Sequence, residues 1–147
     1  QSVAELRKWF NSDYAPDIRA TAARGLGEAG DTESAHAIAL LLEERSYEWR
    51  KGHFQLLRAL TLLKAKNELT HVKSAMQFTR DEEGTSFQIG LLGEGMQYLV
   101  AVDTPEAWAV VSEVASAGDE HRGETVERIL KDMGESLPNV GATPATQ

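Results

Sequence analysis

The chain has 147 residues, of which 41% are hydrophobic and 26% charged, and both proportions are typical of a folded globular domain. Its 23 acidic and 15 basic side chains give a net charge of -8, which disfavours binding to nucleic acid and to anionic lipid. Because cysteine is absent, disulfides, thiolate nucleophiles and cysteine-containing zinc sites are excluded. No apolar run approaches the roughly 20 residues of a membrane-spanning helix, so we expect a soluble protein without a membrane partner, cytoplasmic by default.

Signals for the start of a helix recur along the chain. Proline follows Ala15 and Thr104, and at the first position of a helix its missing N–H removes no hydrogen bond. An acidic residue follows each proline, where it interacts favourably with the positive end of the helix dipole. Together with capping side chains, these signals predict eight helix starts, at Ser2, Pro16, Thr32, Ser46, Asn67, Asp81, Pro105 and Asp119.

Between these starts, apolar residues recur at spacings of three and four, which predicts helices throughout. No segment alternates strictly between polar and apolar residues, as a strand would. Since the connecting turns contain few residues, consecutive helices should pack antiparallel. The sequence therefore predicts one helical domain over residues 1–134, with pairs at 2–30, 32–65, 67–102 and 104–134, and a flexible tail over residues 135–147.

Residues 18–35 (IRATAARGLGEAGDTESA) resemble the HEAT-like repeat associated with phycobilisome lyase subunits. In that repeat, a second helix opens with an apolar residue and arginine, runs through small residues to Leu-Gly-x-x-Gly-Asp, and leads into the next pair. The resemblance is strong over residues 15–45, moderate to residue 60 and weak beyond. It implies an all-α fold, a right-handed solenoid (α-α superhelix) of about four antiparallel helix pairs, with the second helices lining a concave face.

Such repeats serve mostly in protein recognition, so the resemblance implies a noncatalytic scaffold or adaptor that binds a protein partner on this face. The family also includes bilin lyase subunits and, more distantly, DNA glycosylases. Two alternatives therefore stay open: a lyase-like subunit that binds a tetrapyrrole, and a nucleic-acid-processing repeat protein. The sequence contains no recognisable acid–base pair and no lyase-specific signature, so we assign no catalytic residue and no cofactor.

We expect the partner-binding residues on the outward side of the second helices. Trp49, His53, Leu56, Leu57 and Leu60 form an apolar stripe on the helix of the second pair. The predicted contact residues lie on the side of this helix opposite the stripe and on the third pair. The alternative is that they form an ordinary solvated helix face. They are Lys51, Gln55, Arg58, Gln88 and Tyr98.

Three charged residues are assigned a structural role. Arg19 and Arg50 occupy equivalent positions in successive second helices, and Asp31 follows the first of these helices. The resemblance implies that such arginines and aspartates pair between neighbouring repeats. Charge-assisted hydrogen bonds of this kind would hold the repeats together at their turns.

Two features of the apolar pattern leave alternatives open. Gly90, Gly93 and Gly95 lie within one predicted helix, where each costs about 1 kcal/mol relative to alanine. Either close helix packing or a kink explains them, or they open a groove in which a ligand meets bare backbone. Trp9 and Trp108 are expected to be buried between repeats, with anchoring of an interface as the alternative.

The first helix carries Leu6, Trp9 and Phe10, which predicts that further repeats or a second copy of the chain cover it.

Histidines give no sign of a metal site. His36, His53, His71 and His121 lie on different predicted helices, and none has a histidine partner four residues away. A metal could be bound only across helices, so we assign none. His53 lies within the apolar stripe and is expected to be a hydrogen-bonded core residue.

Overall fold

The structure is a computed structural model that describes residues 1–77, 85–117 and 120–138. This part of the chain contains eight α-helices and no strand, which confirms the all-α prediction. The helices are α1 (Val3–Phe10), α2 (Pro16–Glu28), α3 (Ala35–Leu40), α4 (Tyr47–Leu63), α5 (Leu69–Gln77), α6 (Thr85–Val102), α7 (Pro105–Ala117) and α8 (Glu120–Asp132). None of these helices is long and apolar enough to cross a lipid bilayer.

The helices begin where the capping signals predict. Ser2 and Glu5 form a capping box, in which the Ser2 hydroxyl accepts from the Glu5 N–H at 3.1 Å. The Ser46 and Thr104 hydroxyls cap α4 and α7 by accepting from the N–H groups of Trp49 and Ala107, respectively. Short 3₁₀ turns at Thr32–Ser34 and Lys66–Glu68 lead into α3 and α5. The predicted starts at Asp81 and Asp119 lie outside the described residues, as does the predicted tail beyond residue 138.

Each of the four even-numbered helices is followed within two residues by a residue with left-handed backbone conformation. Gly30, Lys64, Asp103 and Gly134 have φ values of 76°, 48°, 51° and 78°. After α2, α4 and α8, the next N–H bonds back to the carbonyl five residues earlier, as in the bond from Asp31 to Leu26 at 3.0 Å. Helix end and following turn therefore recur as one structural unit along the chain.

The packing order of the helices follows their order in the chain. Within the predicted pairs, α1 packs on α2, α3 on α4, α5 on α6, and α7 on α8. Between pairs, α2, α4, α6 and α8 contact one another in succession, and so do α3, α5 and α7. The most extensive of these contacts is between α2 and α4.

A single apolar core runs between the helices. Leu26, Leu56, Leu60, Leu99 and Leu130 are fully buried in it and come from α2, α4, α6 and α8. Burial of side chains of this size stabilises the fold by about 1.5–3 kcal/mol each. The core therefore joins all four pairs.

Helices α2 and α4 approach each other closely at one point. A Cβ atom added at Gly27 would lie 2.7 Å from the Ala59 Cα and 3.0 Å from the Ala59 carbonyl oxygen. Both atoms belong to the α4 backbone and cannot rotate away. Only glycine at position 27 therefore allows this separation of the two helices.

The three glycines of α6 have different surroundings. The side chains of Phe54 and Met76 occupy the space beside Gly90 and Gly95, respectively. These two contacts favour the packing explanation over a ligand groove. Beside Gly93 there is open space for a Cβ atom.

We predict opposite effects of alanine at two of these glycines. Gly27→Ala should lower the free energy of unfolding by about 1–3 kcal/mol, because α2 and α4 must move apart. Gly93→Ala should raise it by about 0.5–1 kcal/mol, because alanine favours the helix and meets no neighbour. Urea unfolding followed by circular dichroism measures both changes, and equal effects of the two substitutions would contradict the close approach.

Candidate functional site

The outward side of α4 carries three of the predicted contact residues. Lys51 is exposed, and its ammonium group lies 4.4 Å from the centre of the Tyr47 ring. Gln55 and Arg58 follow on the same side and are half-buried. The predicted buried stripe on the opposite side of α4 is confirmed, since Trp49, His53, Leu56, Leu57 and Leu60 are all buried.

Gln55 and Arg58 are half-buried because they join neighbouring helices. Gln55 Oε1 accepts a hydrogen bond from Arg24 Nη1 of α2 at 3.2 Å. Arg58 Nε and Nη2 donate to the two carboxylate oxygens of Glu94 on α6, each at 3.0 Å. This two-pronged pairing raises the pKa of Arg58 and fixes the direction of its side chain. Polar contacts thus tie α2, α4 and α6 together on their outward side.

Two hollows lie on either side of α2 and share part of their lining. One, of about 570 Å³, borders α1 and includes Trp9 and Ile18. The other, of about 390 Å³, lies between α2 and α4 and includes Lys51. Both are lined by Asp17, Thr21 and Gln55. We refer to the residues around the two hollows as the α2–α4 surface, formed by Trp9, Asp17, Ile18, Thr21, Lys51 and Gln55.

Large apolar side chains are exposed at the α1 end of this surface. Trp9 is 38% exposed and Ile18 is 40% exposed. Trp9 stacks on Tyr14, which is 50% exposed, with ring centres 4.9 Å apart. The expectation that Trp9 is buried between repeats is therefore wrong. Leu6 and Phe10 of the same helix are buried in the core. Of the three large apolar residues of α1, Trp9 is therefore the exposed one.

The remaining two predicted contact residues have different positions. Gln88 is half-buried on α6. Tyr98 is fully buried, and its hydroxyl donates a hydrogen bond to the Ala65 carbonyl. Burial raises the pKa of this hydroxyl. The assignment of Tyr98 to a partner-binding face is thus wrong, because its ring packs in the core and its hydroxyl is bonded to the turn after α4.

The charged residues assigned to inter-repeat pairing have other partners. Asp31 pairs with Arg7 of α1, whose Nε and Nη2 donate at 2.8 and 2.6 Å. Ser34 Oγ also donates to Asp31 at 2.6 Å. Arg19 Nε donates to the Phe10 carbonyl at 2.9 Å, and its guanidinium lies 5.2 Å from the centre of the Trp49 ring. Asp31 therefore links the turn after α2 to α1. Its partner is Arg7 and not Arg19.

Arg50 and His53 form a buried polar pair on α4. Arg50 Nη1 donates to His53 Nδ1 at 2.8 Å and to the Ala75 carbonyl of α5 at 3.5 Å. His53 Nε2 donates to the Glu44 carbonyl at 3.1 Å. These bonds confirm that His53 is a hydrogen-bonded core residue. They also give Arg50 a structural role between the second and third pairs.

On the opposite side of the pairs, two histidines lie beside a carboxylate. His36 of α3, Glu68 before α5 and His71 of α5 each have one potential ligand atom within 4.8 Å of the others. We did not predict this cluster, because spacing within one helix cannot reveal contacts across helices. A signal was nevertheless present: Glu-x-x-His occurs at Glu33–His36 and again at Glu68–His71, one repeat later.

Compared with family models, curated proteins and solved structures, the chain matches none of them. Its function must therefore be inferred from its own residues. The α2–α4 surface offers exposed apolar groups beside open hollows, an arrangement suited to contact with another macromolecule.

We predict that Asp31 stabilises the fold in a pH-dependent way. The hydrogen bonds from Arg7 and Ser34 lower the pKa of Asp31 to about 2. Its contribution is therefore complete above about pH 4 and is lost as the pH falls towards 2. Asp31→Asn should lower the free energy of unfolding by about 1–2 kcal/mol at neutral pH, and the difference from the wild type should shrink below pH 4. Asp13→Asn, at an exposed position, is the matched control for denaturant unfolding at each pH.

We predict a second acid-sensitive contribution from His53. Burial, together with the charge of Arg50, lowers the pKa of His53 to about 3. Between about pH 6.5 and pH 3 the unfolded chain binds a proton that the folded chain does not, so stability falls as the pH falls through this range. At about pH 4.5 the loss should be about 2–3 kcal/mol.

The test compares His53→Gln with the wild type in denaturant unfolding over this pH range. Glutamine can accept from Arg50 and donate to Glu44, but it does not titrate. In His53→Gln, the free energy of unfolding should fall less steeply as the pH is lowered. In His121→Gln, at an exposed position of α8, it should fall as steeply as in the wild type. Equal slopes for wild type and His53→Gln would contradict the prediction.

Proposed function

We propose that the chain is a HEAT-like α-solenoid of four helix pairs, wound as a right-handed superhelix, and that it acts as a noncatalytic scaffold. Two observations support the solenoid. Successive even-numbered helices pack on one another in chain order, and each of the four is followed by a residue with left-handed backbone conformation. Stacked units of this kind present extended faces for binding.

The proposed binding face is the α2–α4 surface, and its exposed apolar side chains carry the proposal. Most large apolar residues in the described part of the chain are buried, yet Trp9 and Ile18 are exposed at the larger hollow, and the exposed Tyr14 stacks on Trp9. Tryptophan and tyrosine are over-represented among the residues that dominate binding energy at protein interfaces. A partner that covers them would gain free energy from removing apolar area from water.

The charges around this surface indicate the chemistry of the partner. Asp17 and Glu48 lie in the first turns of α2 and α4, and Glu28 lines the larger hollow. Arg24, also at the larger hollow, is paired with Gln55 and with Glu28 at 3.7 Å. We therefore expect a protein segment with one or two aliphatic or aromatic side chains that enter the hollows, flanked by basic residues near Asp17 and Glu48.

The polar contacts between helices suit this role. Arg24–Gln55 and Arg58–Glu94 hold α2, α4 and α6 in a defined arrangement on the outward side. A face that is already rigid loses less conformational entropy when a partner binds. The predicted contact residues Gln55 and Arg58 would thus act mainly by holding the face in place, with Lys51 exposed for direct contact.

The test begins with a photo-crosslinking residue placed at Thr21, between the two hollows. The same residue at Leu40, an exposed apolar position on α3, serves as the matched control. A partner protein should be crosslinked in extracts of the native source from position 21 and not from position 40. Its affinity for the purified chain should then fall at least about tenfold on Ile18→Arg, equivalent to about 1.4 kcal/mol, and stay unchanged on Leu40→Arg.

Equal crosslinking or equal affinity loss at the two positions would contradict the proposal. The same purified chain can be titrated with a bilin and applied to immobilised DNA at low salt. A shift of the bilin absorption spectrum would favour the tetrapyrrole alternative. Salt-sensitive retention on DNA would favour the nucleic-acid alternative.

A further inference from the structure

The cluster of His36, Glu68 and His71 joins two consecutive helix pairs. His36 belongs to α3 of the second pair, whereas Glu68 and His71 belong to the start of the third. His36 Nδ1 lies 3.1 Å from Glu68 Oε1 and 3.3 Å from Oε2. The two histidine ring centres are 6.1 Å apart and the rings are inclined by 61°. Two imidazoles and a carboxylate therefore face one another across the repeat boundary.

These residue types and separations suit a divalent transition-metal ion. Zinc binds imidazole nitrogen and carboxylate oxygen at about 2.0–2.2 Å, so its tetrahedral ligand atoms lie about 3.3–3.6 Å apart. The His36–Glu68 separation needs to widen by only a few tenths of an ångström. No separation between ligand atoms in the cluster exceeds 4.8 Å, so none needs to close by more than about 1.5 Å.

Glu68 is the least accessible member of the cluster. Its side chain is only 8% exposed, whereas that of His36 is 67% exposed. Placing a carboxylate out of water is unfavourable unless a hydrogen-bond donor or a cation compensates it. Without a metal, His36 Nδ1–H can supply this compensation at 3.1 Å; a bound ion would take over that role for Glu68.

A further carboxylate orients His71. Glu43 Oε2 lies 2.9 Å from His71 Nδ1, and Arg45 and Ser74 hold Glu43 at 3.1 and 3.4 Å. When Nδ1–H donates to Glu43, Nε2 keeps its lone pair and can bind a metal. Metal-binding histidines commonly have such a carboxylate behind them, which sets the tautomer and the direction of the ring.

The site is open to solvent. His36 and Glu68 line a hollow of about 290 Å³ together with Lys64 and Lys66. Both lysines are exposed, so their ammonium groups can extend into water away from a bound cation. Three protein ligands, two of them at an open hollow, leave a fourth position for water or for an external group.

We propose that His36, Glu68 and His71 bind one divalent ion of the Zn²⁺ class, with Glu43 orienting His71. The ion links α3 to α5 and thus fixes the second pair against the third. The inference does not depend on the proposed function, since the α2–α4 surface is formed by other residues.

Isothermal titration of the untagged chain with Zn²⁺ tests the site. We expect one equivalent to bind, with affinity at least 100-fold weaker in His36→Ala and in His71→Ala, because a ligand is lost. Glu43→Gln should weaken binding about 10- to 100-fold, because the carboxylate that orients His71 is lost. Visible absorption of the Co²⁺-loaded chain should show bands typical of a four- or five-coordinate site, and these should disappear in His71→Ala.

Matched controls separate the site from unspecific binding to an acidic protein. His121→Ala and Asp13→Asn remove an exposed histidine and an exposed carboxylate away from the cluster, and both should leave the affinity unchanged. His36 is exposed, so its replacement should leave the circular dichroism spectrum as in the wild type. Absence of Zn²⁺ binding to the wild type, or wild-type affinity in folded His36→Ala and His71→Ala, would overturn the proposal.

Discussion

Helices α2 and α4 lie so close together at Gly27 and Ala59 that one backbone meets the other. Much of the remaining arrangement depends on this contact. It brings Arg24 within hydrogen-bond distance of Gln55, and it sets the width of the hollow that Asp17, Lys51 and Gln55 line. A bulkier residue at the contact would change both the packing of the core and the shape of the exposed surface.

Local sequence signals were sufficient for the helices themselves. Serine and threonine caps, prolines at first helical positions and apolar spacing act within a few residues of the chain, so a single sequence reveals them. The buried stripe of α4 and the hydrogen-bonded role of His53 follow from the same short-range pattern. The outward position of Lys51 was predictable for this reason too.

Interactions between distant residues were not predictable in the same way. Asp31 could pair with any nearby arginine, and only the position of α1 shows that Arg7 is its partner. Tyr98 has an amphipathic side chain that suits either a surface or a core. It can be buried because the distant Ala65 carbonyl accepts a hydrogen bond from its hydroxyl. His36 and His71 come together because successive pairs stack, so a search within one helix could not find them.

The contacts between successive even-numbered helices are unequal. They are most extensive between α2 and α4, less so between α4 and α6, and least extensive between α6 and α8. Helices with fewer mutual contacts open with a lower free energy, so fluctuations should increase towards α8. Amide hydrogens of α2 and α4 would then exchange more slowly than those of α8. The exposed side chains of Trp9 and Ile18 thus lie beside the helix pair whose amide hydrogens are expected to exchange most slowly.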